Sequence, residues 1–179
     1  NMGQRFLISL ELSLNLREAG TSDDLTKTVN YAELCVNIER EFTKKKFDLI
    51  EAAAEALVNY ILLNYDSVNG VKMLLKKPWA PIGKPIDYAA VEIERSWHKV
   101  YIALGTNMGN KEQNIKEALE KLNSDRCRVI NVSNMYITKP VGYTDQDDFL
   151  NCCAELMTLL TPDEFIKLLL NIEQDLKRV

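Results

Sequence analysis

Apolar and polar residues alternate along the first stretch of the chain. Every second residue from Phe6 to Leu14 is apolar, and this is the period of a strand with one buried face. Two later stretches, residues 71–76 and 88–94, also read as strands, and the prolines between them cannot lie inside a sheet. These patterns predict an antiparallel sheet.

Between the first strand and the later two, apolar residues follow a helical spacing instead of alternating with polar residues. Apolar residues recur every three or four positions over residues 31–42 and again over residues 50–62. The first half is therefore predicted as a strand, two helices on one face of the sheet, and two more strands. Its edge strands must be covered or paired, which suggests self-assembly through them.

A different order of elements is predicted after a short junction near Trp97. A strand begins at Val100, a helix over residues 111–122 follows an Asn110 cap, and strands are predicted over 129–137 and 150–159. Thr161 and Pro162 then mark the start of a last helix. This βαββα order is ferredoxin-like without its last strand. We predict an α+β protein with domains at residues 1–97 and 98–179.

Composition narrows the class of protein. The chain has 179 residues, of which 46% are hydrophobic and 27% charged, and its formal net charge of -4 offers no basic surface for nucleic acid. The sequence contains neither a membrane-spanning apolar run of roughly 20 residues nor a signal-peptide pattern. Its four cysteines lack metal-ligand spacing. We expect a cytoplasmic protein that binds neither membranes nor nucleic acid.

Three polar residues of the first half are candidates for chemistry. Glu51 could close a capping box with Asp48, or its carboxylate could accept paired donors from the amidine-like edge of a heterocycle. Lys77 could be a surface lysine or an acid/base group, since desolvation or the neighbouring Lys76 disfavours its ammonium form. Tyr31 could pack in the core, because it begins the apolar stripe of its helix.

Five segments of the first half resemble dihydroneopterin aldolase in order and spacing. They are GQRF at 3–6, SDDL at 22–25, TVNYAEL at 28–34, FDLIEAAAE at 47–55 and KKPWAPI at 76–82. The resemblance implies the T-fold and a retro-aldol cleavage of dihydroneopterin to 6-hydroxymethyl-dihydropterin and glycolaldehyde. It also implies that this half needs no metal or other cofactor, because the dihydropterin ring itself accepts the electrons of the broken bond.

The same resemblance assigns roles to individual residues. Glu51 would hold the amino edge of the pterin, assisted by the backbone near Val29 and Ile50, and Lys77 would be the acid/base group. Tyr31 would close the site from a neighbouring subunit, because the family forms rings of four that often pair into octamers. In the family, the opening strand and a catalytic glutamate precede the segment that begins here at Gly3. We therefore expect both to be missing from this chain.

Two loops of the second half are candidates for ligand binding. The loop at 105–110 lies between a strand and a helix, where its two glycines favour either a tight turn or a phosphate site. The loop at 138–151 is polar and ends with Phe149 and Asn151. An aromatic ring that stacks and an amide that pairs suit a flat heterocycle, although an acidic hairpin with Phe149 in the core fits as well.

Three segments in this half resemble 6-hydroxymethyl-dihydropterin pyrophosphokinase. They are ALGTNMGN at 103–110, YITKPVGYTDQDDFLN at 136–151 and LLNIEQDLKRV at 169–179. The resemblance implies transfer of a pyrophosphoryl group from ATP with two Mg²⁺ ions. It assigns pterin binding to Thr138, Val141, Phe149, Asn151 and Asn107, and the nucleotide side to Glu173 and Arg178.

The chain stops at Val179, before the family's magnesium-binding aspartates, so we expect this half to be inactive as given.

Together the two resemblances predict a bifunctional enzyme of folate biosynthesis, because the product of the first reaction is the substrate of the second. The alternative is a non-catalytic module that binds pterins and forms an oligomer.

Overall fold

The computed structural model of the protein describes residues 4–80 and 82–176. It contains two compact units, Asn1–Ser96 and Trp97–Val179, which we call unit 1 and unit 2. Both are α+β with antiparallel sheets, and the predicted class is therefore confirmed. None of the helices in the described ranges is both long and apolar enough to cross a membrane.

Unit 1 consists of one antiparallel sheet and helices packed on it. Its elements are β1 (Leu7–Leu14), α1 (Arg17–Ser22), a 3-10 turn (Leu25–Lys27), α2 (Tyr31–Thr43), α3 (Ile50–Asn64), β2 (Val68–Pro78) and β3 (Tyr88–Ser96). The sheet order is β1-β2-β3, so β1 and β3 are its edges among the described strands. The predicted strand, two helices and two strands are confirmed, and the element order fits a T-fold.

The core of unit 1 lies between α3 and the central strand. One face of α3 is buried, including Leu57 and Ile61, and it packs against Val71, Met73 and Leu75 of β2. These three positions are two residues apart, as expected for one face of a strand. Helix α2 packs on α3 through Leu34 and Ile38.

Unit 2 has two helices and a sheet whose central strand is the longest. Its elements are β4 (His98–Thr106), α4 (Lys111–Leu122), β5 (Cys127–Val132), β6 (Tyr136–Thr138), β7 (Phe149–Thr158) and α5 (Pro162–Asp175). Strand β7 pairs with β4 on one side and with β5 and β6 on the other. The predicted βαββα order, which fits a ferredoxin-like domain, is confirmed except that the first of its two later strands is divided into β5 and β6.

The helices of unit 2 begin where their capping residues predict. Asn110 accepts a hydrogen bond from the backbone N–H of Gln113, and Thr161 forms a complete capping box with Glu164. The core joins α4 and α5 to the inner face of the sheet through Leu122, Leu156 and Phe165.

One predicted strand of unit 2 is wrong, because residues 129–137 form two strands rather than one. Ile130 bulges out of the β5–β7 register, and Ser133 ends the pairing. The Ser133 hydroxyl accepts a hydrogen bond from the backbone N–H of Cys153 at 2.9 Å, where a strand would present a carbonyl. A side chain therefore replaces the backbone partner, and the chain leaves the sheet before β6.

Candidate active sites

Glu51 lies in the first turn of α3 and is exposed. The predicted capping box is wrong, since the N-cap residue is Leu49 and no side chain caps this helix. Within the described part of the chain, no hydrogen bond or ion pair engages the Glu51 carboxylate. Both carboxylate oxygens are therefore available to a ligand at a helix N-terminus, where a negative charge is also favoured.

Lys77 is the penultimate residue of β2 and is half-buried. Its side chain lies on the helix-facing side of the sheet, with the ammonium 6.0 Å from the centre of the Phe6 ring. Lys76 points to the opposite face, where its ammonium lies 4.4 Å from the centre of the Tyr88 ring. No carboxylate pairs with Lys77 in residues 4–80 and 82–176. A lysine without a fixed counter-ion suits proton transfer.

Tyr31 is the first residue of α2, directly after the Asn30 cap. The interpretation of Tyr31 as a core residue is wrong, because its side chain is 79% exposed. Asn30 explains this position, since its side chain accepts hydrogen bonds from the backbone N–H groups of Ala32 and Glu33. Val29 precedes the cap and is half-buried.

These residues of unit 1 occupy two opposite ends of its helix layer. The Phe6 ring beside Lys77 contacts the Phe42 ring edge-to-face at 5.0 Å, and Phe42 stacks on Phe47 at 6.2 Å, just before α3. Ile50, Glu51 and Lys77 therefore share one end. Tyr31 lies 11 residues before Phe42 in α2, or about 16 Å along the helix axis. Tyr31 and Val29 are at the other end.

A strained turn follows Lys77. Trp79 has a φ of 50°, in the left-handed region that bulky side chains rarely adopt, and its side chain is 71% exposed. Its backbone N–H donates to the carbonyl oxygen of Asp87 at 3.3 Å. Sequence reasoning missed this position, because an aromatic residue gives no local signal for a positive φ.

Pairing of β6 with β7 brings together three residues of unit 2 that were predicted to bind pterin. Thr138 is the direct partner of Phe149, and the Asn151 side-chain amide donates to the Thr138 hydroxyl at 2.8 Å. Phe149 is half-buried. The interpretation of Phe149 as a core residue is therefore only partly right.

The loop between β6 and β7 is tied to the start of α4. Asn107 donates from its amide to the Gln146 side chain at 2.9 Å, and Lys111 donates to the Asp148 carbonyl at 2.6 Å. The Asp148 carboxylate also pairs with Lys139 at 3.0 Å. The predicted acidic loop is thus partly neutralised by lysines, and sequence reasoning missed Lys111 in this role.

Two clefts adjoin Phe149. One of about 210 Å³ lies between β4, α4 and α5, and its lining includes Asn107, Phe149 and Glu173. The other, of about 470 Å³, lies beside the start of α4 and includes Lys111 and Asp148. Phe149 is therefore placed to contact a ligand in either cleft.

The described contacts do not bring the last two predicted residues, Val141 and Arg178, to this site. Val141 is 96% exposed in the β6–β7 loop, where no described contact holds it near Asn151. Arg178 lies outside the described residues.

The glycine-rich loop at 105–110 contains Gly109 at a φ of 51°, which supports a tight turn there.

Magnesium does not fit the residues that the structure describes. In ranges 4–80 and 82–176, no group of three or more His, Cys, Asp or Glu side chains is arranged to hold a metal ion. The thiols of Cys127 and Cys152 have pKa values raised by burial, so both behave as small apolar side chains.

Two family models match the chain, one in each unit. The model for dihydroneopterin aldolase matches residues 1–94, and the model for 7,8-dihydro-6-hydroxymethylpterin-pyrophosphokinase matches residues 101–179. The chain therefore belongs to the dihydroneopterin aldolase family and carries a pyrophosphokinase-family region in its second half.

Curated relatives also match the two halves of the chain separately. A dihydroneopterin aldolase of Methylorubrum extorquens is 45% identical over 94 residues, which are 52% of this chain and 72% of that protein. A 2-amino-4-hydroxy-6-hydroxymethyldihydropteridine pyrophosphokinase of Bacillus subtilis is 43% identical over 79 residues, 44% of this chain and 47% of that protein.

Individual relatives also span both halves of the chain. The folic acid synthesis protein FOL1 of Dictyostelium discoideum is 29% identical over 98% of this chain, which covers 31% of that protein. The chain thus spans about a third of the length of this relative.

Proposed function

We propose that the protein is a bifunctional enzyme of folate biosynthesis. Unit 1 cleaves 7,8-dihydroneopterin to 6-hydroxymethyl-dihydropterin and glycolaldehyde, and unit 2 transfers a pyrophosphoryl group from ATP to that product. The observation that carries the proposal is the succession of the two family regions in one chain, because the first reaction makes the substrate of the second. The corresponding domain boundaries are 1–97 and 98–179.

In unit 1, Glu51 binds the amino edge of the pterin. Its carboxylate is exposed, has no partner among the described residues and lies at a helix N-terminus. Paired N–H groups of the pterin edge match its two oxygens, as a guanidinium would. The backbone near Ile50 completes this recognition within one chain, and the backbone near Val29, at the opposite end of the helix layer, comes from a second copy.

Lys77 moves the proton in the retro-aldol step. Cleavage of the carbon–carbon bond releases glycolaldehyde, and the electron pair of that bond passes into the dihydropterin ring. The Lys77 amine accepts the proton of the hydroxyl that becomes the glycolaldehyde carbonyl, and the resulting ammonium returns a proton to the carbon that becomes the hydroxymethyl group. No metal or other cofactor is needed, because the ring itself accepts the electrons.

A second copy of the chain supplies Tyr31. Within one chain, Tyr31 lies about 16 Å along α2 from the end that holds Lys77. The site is therefore incomplete without another copy, and the edge strands β1 and β3 offer surfaces for its assembly. A tetramer or octamer satisfies this requirement.

In unit 2, the pterin binds at Thr138, Phe149 and Asn151. The aromatic ring stacks on the bicycle, and the amide pairs with its edge. Asn107 lines a cleft that adjoins Phe149, Val141 contributes from the β6–β7 loop, and Glu173 and Arg178 are the residues proposed for the nucleotide side. ATP is the donor of the pyrophosphoryl group.

The cytoplasm is the proposed compartment. All four cysteines are free, and two of them, Cys127 and Cys152, are buried as thiols. Free cysteines are in keeping with a reducing compartment.

The test is release of glycolaldehyde from 7,8-dihydroneopterin. We expect one glycolaldehyde for each 6-hydroxymethyl-dihydropterin formed, with the rate lost in the Lys77→Ala variant. Bound pterin without any glycolaldehyde would contradict the catalytic function and would favour a non-catalytic assembly module instead.

A further inference from the structure

Gly105 lies inside strand β4, directly opposite Asn151 of β7. Glycine is usually disfavoured within a strand, unless the backbone conformation or a close neighbour requires it. The Gly105 φ lies outside the left-handed region, unlike the φ of Gly109 in the following turn. Backbone conformation therefore does not explain the glycine at this position.

The limited space beside position 105 explains the glycine. A Cβ atom at position 105 would approach the Asn151 Oδ1 well inside 3.0 Å, a separation that real Cβ atoms essentially never show, and would lie 3.5 Å from its Cγ. Gly70 of β2 is a useful contrast, since a Cβ there would meet Ser96 at 3.3 Å and Ser13 at 3.4 Å. Among the glycines that the structure describes, only Gly105 has a side-chain amide in the space that a Cβ would need.

The other end of the same amide is also held. The Asn151 Nδ2 donates to the Thr138 Oγ1 at 2.8 Å, so the amide extends between the Gly105 backbone on one neighbouring strand and Thr138 on the other. One Nδ2 proton and the Oδ1 lone pairs remain for a ligand. The orientation of this amide therefore depends on both neighbours.

We propose that Gly105 is a positioning residue for ligand recognition in unit 2, because its missing side chain lets the Asn151 amide lie across β4 while it bonds Thr138. The proposal rests on the proposed pterin site. It assigns to Gly105 an effect that acts through Asn151, rather than a direct role in phosphate binding.

Substitution Gly105→Ala would force the Asn151 side chain into another rotamer. The bond to Thr138 would break, and the amide would no longer face the pterin edge. We expect the affinity for 6-hydroxymethyl-dihydropterin to fall about tenfold or more, as for loss of a well-formed hydrogen bond. Ala103→Ser is the matched control, since it adds one atom on the same face of the same strand, two residues away.

A double-mutant cycle with Asn151→Ala tests whether the effect passes through Asn151. We expect Gly105→Ala to weaken binding in the wild-type background and to change it less than about twofold in the Asn151→Ala background. Equal losses in both backgrounds would overturn the proposal, because the glycine would then act independently of Asn151. Calorimetric titration provides the affinities.

A second readout does not depend on any ligand. We expect the side-chain amide resonances of Asn151 to shift in Gly105→Ala and to stay unchanged in Ala103→Ser. Unchanged Asn151 resonances in Gly105→Ala would contradict the positioning role alone. Wild-type pterin affinity in Asn151→Ala would instead contradict the proposed pterin site, so the two failures are distinguishable.

Discussion

The two units place their candidate residues in different ways. In unit 2, Thr138, Phe149 and Asn151 converge on two paired strands of one chain, with a hydrogen bond of 2.8 Å between Asn151 and Thr138. In unit 1, Glu51 and Lys77 share one end of the helix layer, while Tyr31 lies at the other. The proposed site of unit 2 is therefore built from residues that lie close in sequence, whereas the proposed site of unit 1 needs a second copy of the chain.

This difference predicts a large effect at Lys77. Lys77→Ala should lower the rate of glycolaldehyde release by about 100-fold or more, because general acid/base groups contribute on that scale. Pterin binding should change only a few-fold, since Glu51 is retained. Kinetics of glycolaldehyde release and a separate binding titration measure the two quantities.

Lys76→Ala is the matched control for Lys77. Lys76 is adjacent in β2 but points to the opposite face, over Tyr88. Its variant should retain the aldolase rate. A wild-type rate in Lys77→Ala, or an equal loss in both variants, would remove the proposed role of Lys77.

Mixed oligomers test the shared site of unit 1. Tyr31→Ala and Lys77→Ala should each be impaired alone. If the two are unfolded together and refolded as a mixture, about a quarter of the sites should combine an intact Tyr31 with an intact Lys77 from another copy. The aldolase rate of the mixture should therefore rise to about a quarter of the wild-type rate.

Unit 2 supplies the control for this experiment. Phe149 and Asn151 lie on one strand, so a mixture of Phe149→Ala and Asn151→Ala should regain no pterin binding. No gain in the aldolase mixture would show that Tyr31 is not shared. A gain in the unit 2 mixture would contradict the account of that unit as a site within one chain.

A smaller effect concerns the outer face of the unit 2 sheet. The Lys99 ammonium lies 2.6 Å from the Glu155 carboxylate, and its hydrogen bond, together with one from Asn131, holds the pKa of Glu155 below its ordinary value of 4.5. A lowered folded-state pKa stabilises the fold above the unfolded pKa, and this stabilisation is lost as the pH falls through the folded pKa.

Lys99→Met should therefore flatten the loss of stability of unit 2 as the pH falls below about 4.5. Because Lys99 is exposed and Glu155 is only partly buried, the change should be small. Lys116→Met is the control, since its ammonium lies 3.9 Å from Glu120 in an exposed pair. Urea unfolding at a series of pH values measures both, and identical pH profiles for Lys99→Met and wild type would contradict the prediction.

Much of the fold was predictable from the sequence. The alternation before Leu14 and the helical spacing after Tyr31 gave elements that the structure confirms, as did the caps at Asn110 and Thr161. The break at Ser133 was not predictable, because the residues on either side of it keep a strand-like pattern. Nor was α1, which contains no buried residue and thus no apolar stripe.

The candidate sites were likewise predictable only in part. Residue types and family motifs indicated Glu51, Lys77 and Asn151, but not their surroundings. The absence of a capping box at Asp48 and the exposure of Tyr31 depend on where the helices begin. The clearance at Gly105 depends on the register between β4 and β7, which couples residues 46 positions apart in the chain. Such pairings are set by tertiary structure.

Calorimetric titration with 6-hydroxymethyl-dihydropterin tests most directly whether each chain holds two separate pterin sites. We expect about two bound molecules per chain in the wild type, and about one in either Glu51→Ala or Asn151→Ala, with none of the high-affinity binding left in the double variant. A single site in the wild type, or a stoichiometry that neither substitution changes, would contradict the account.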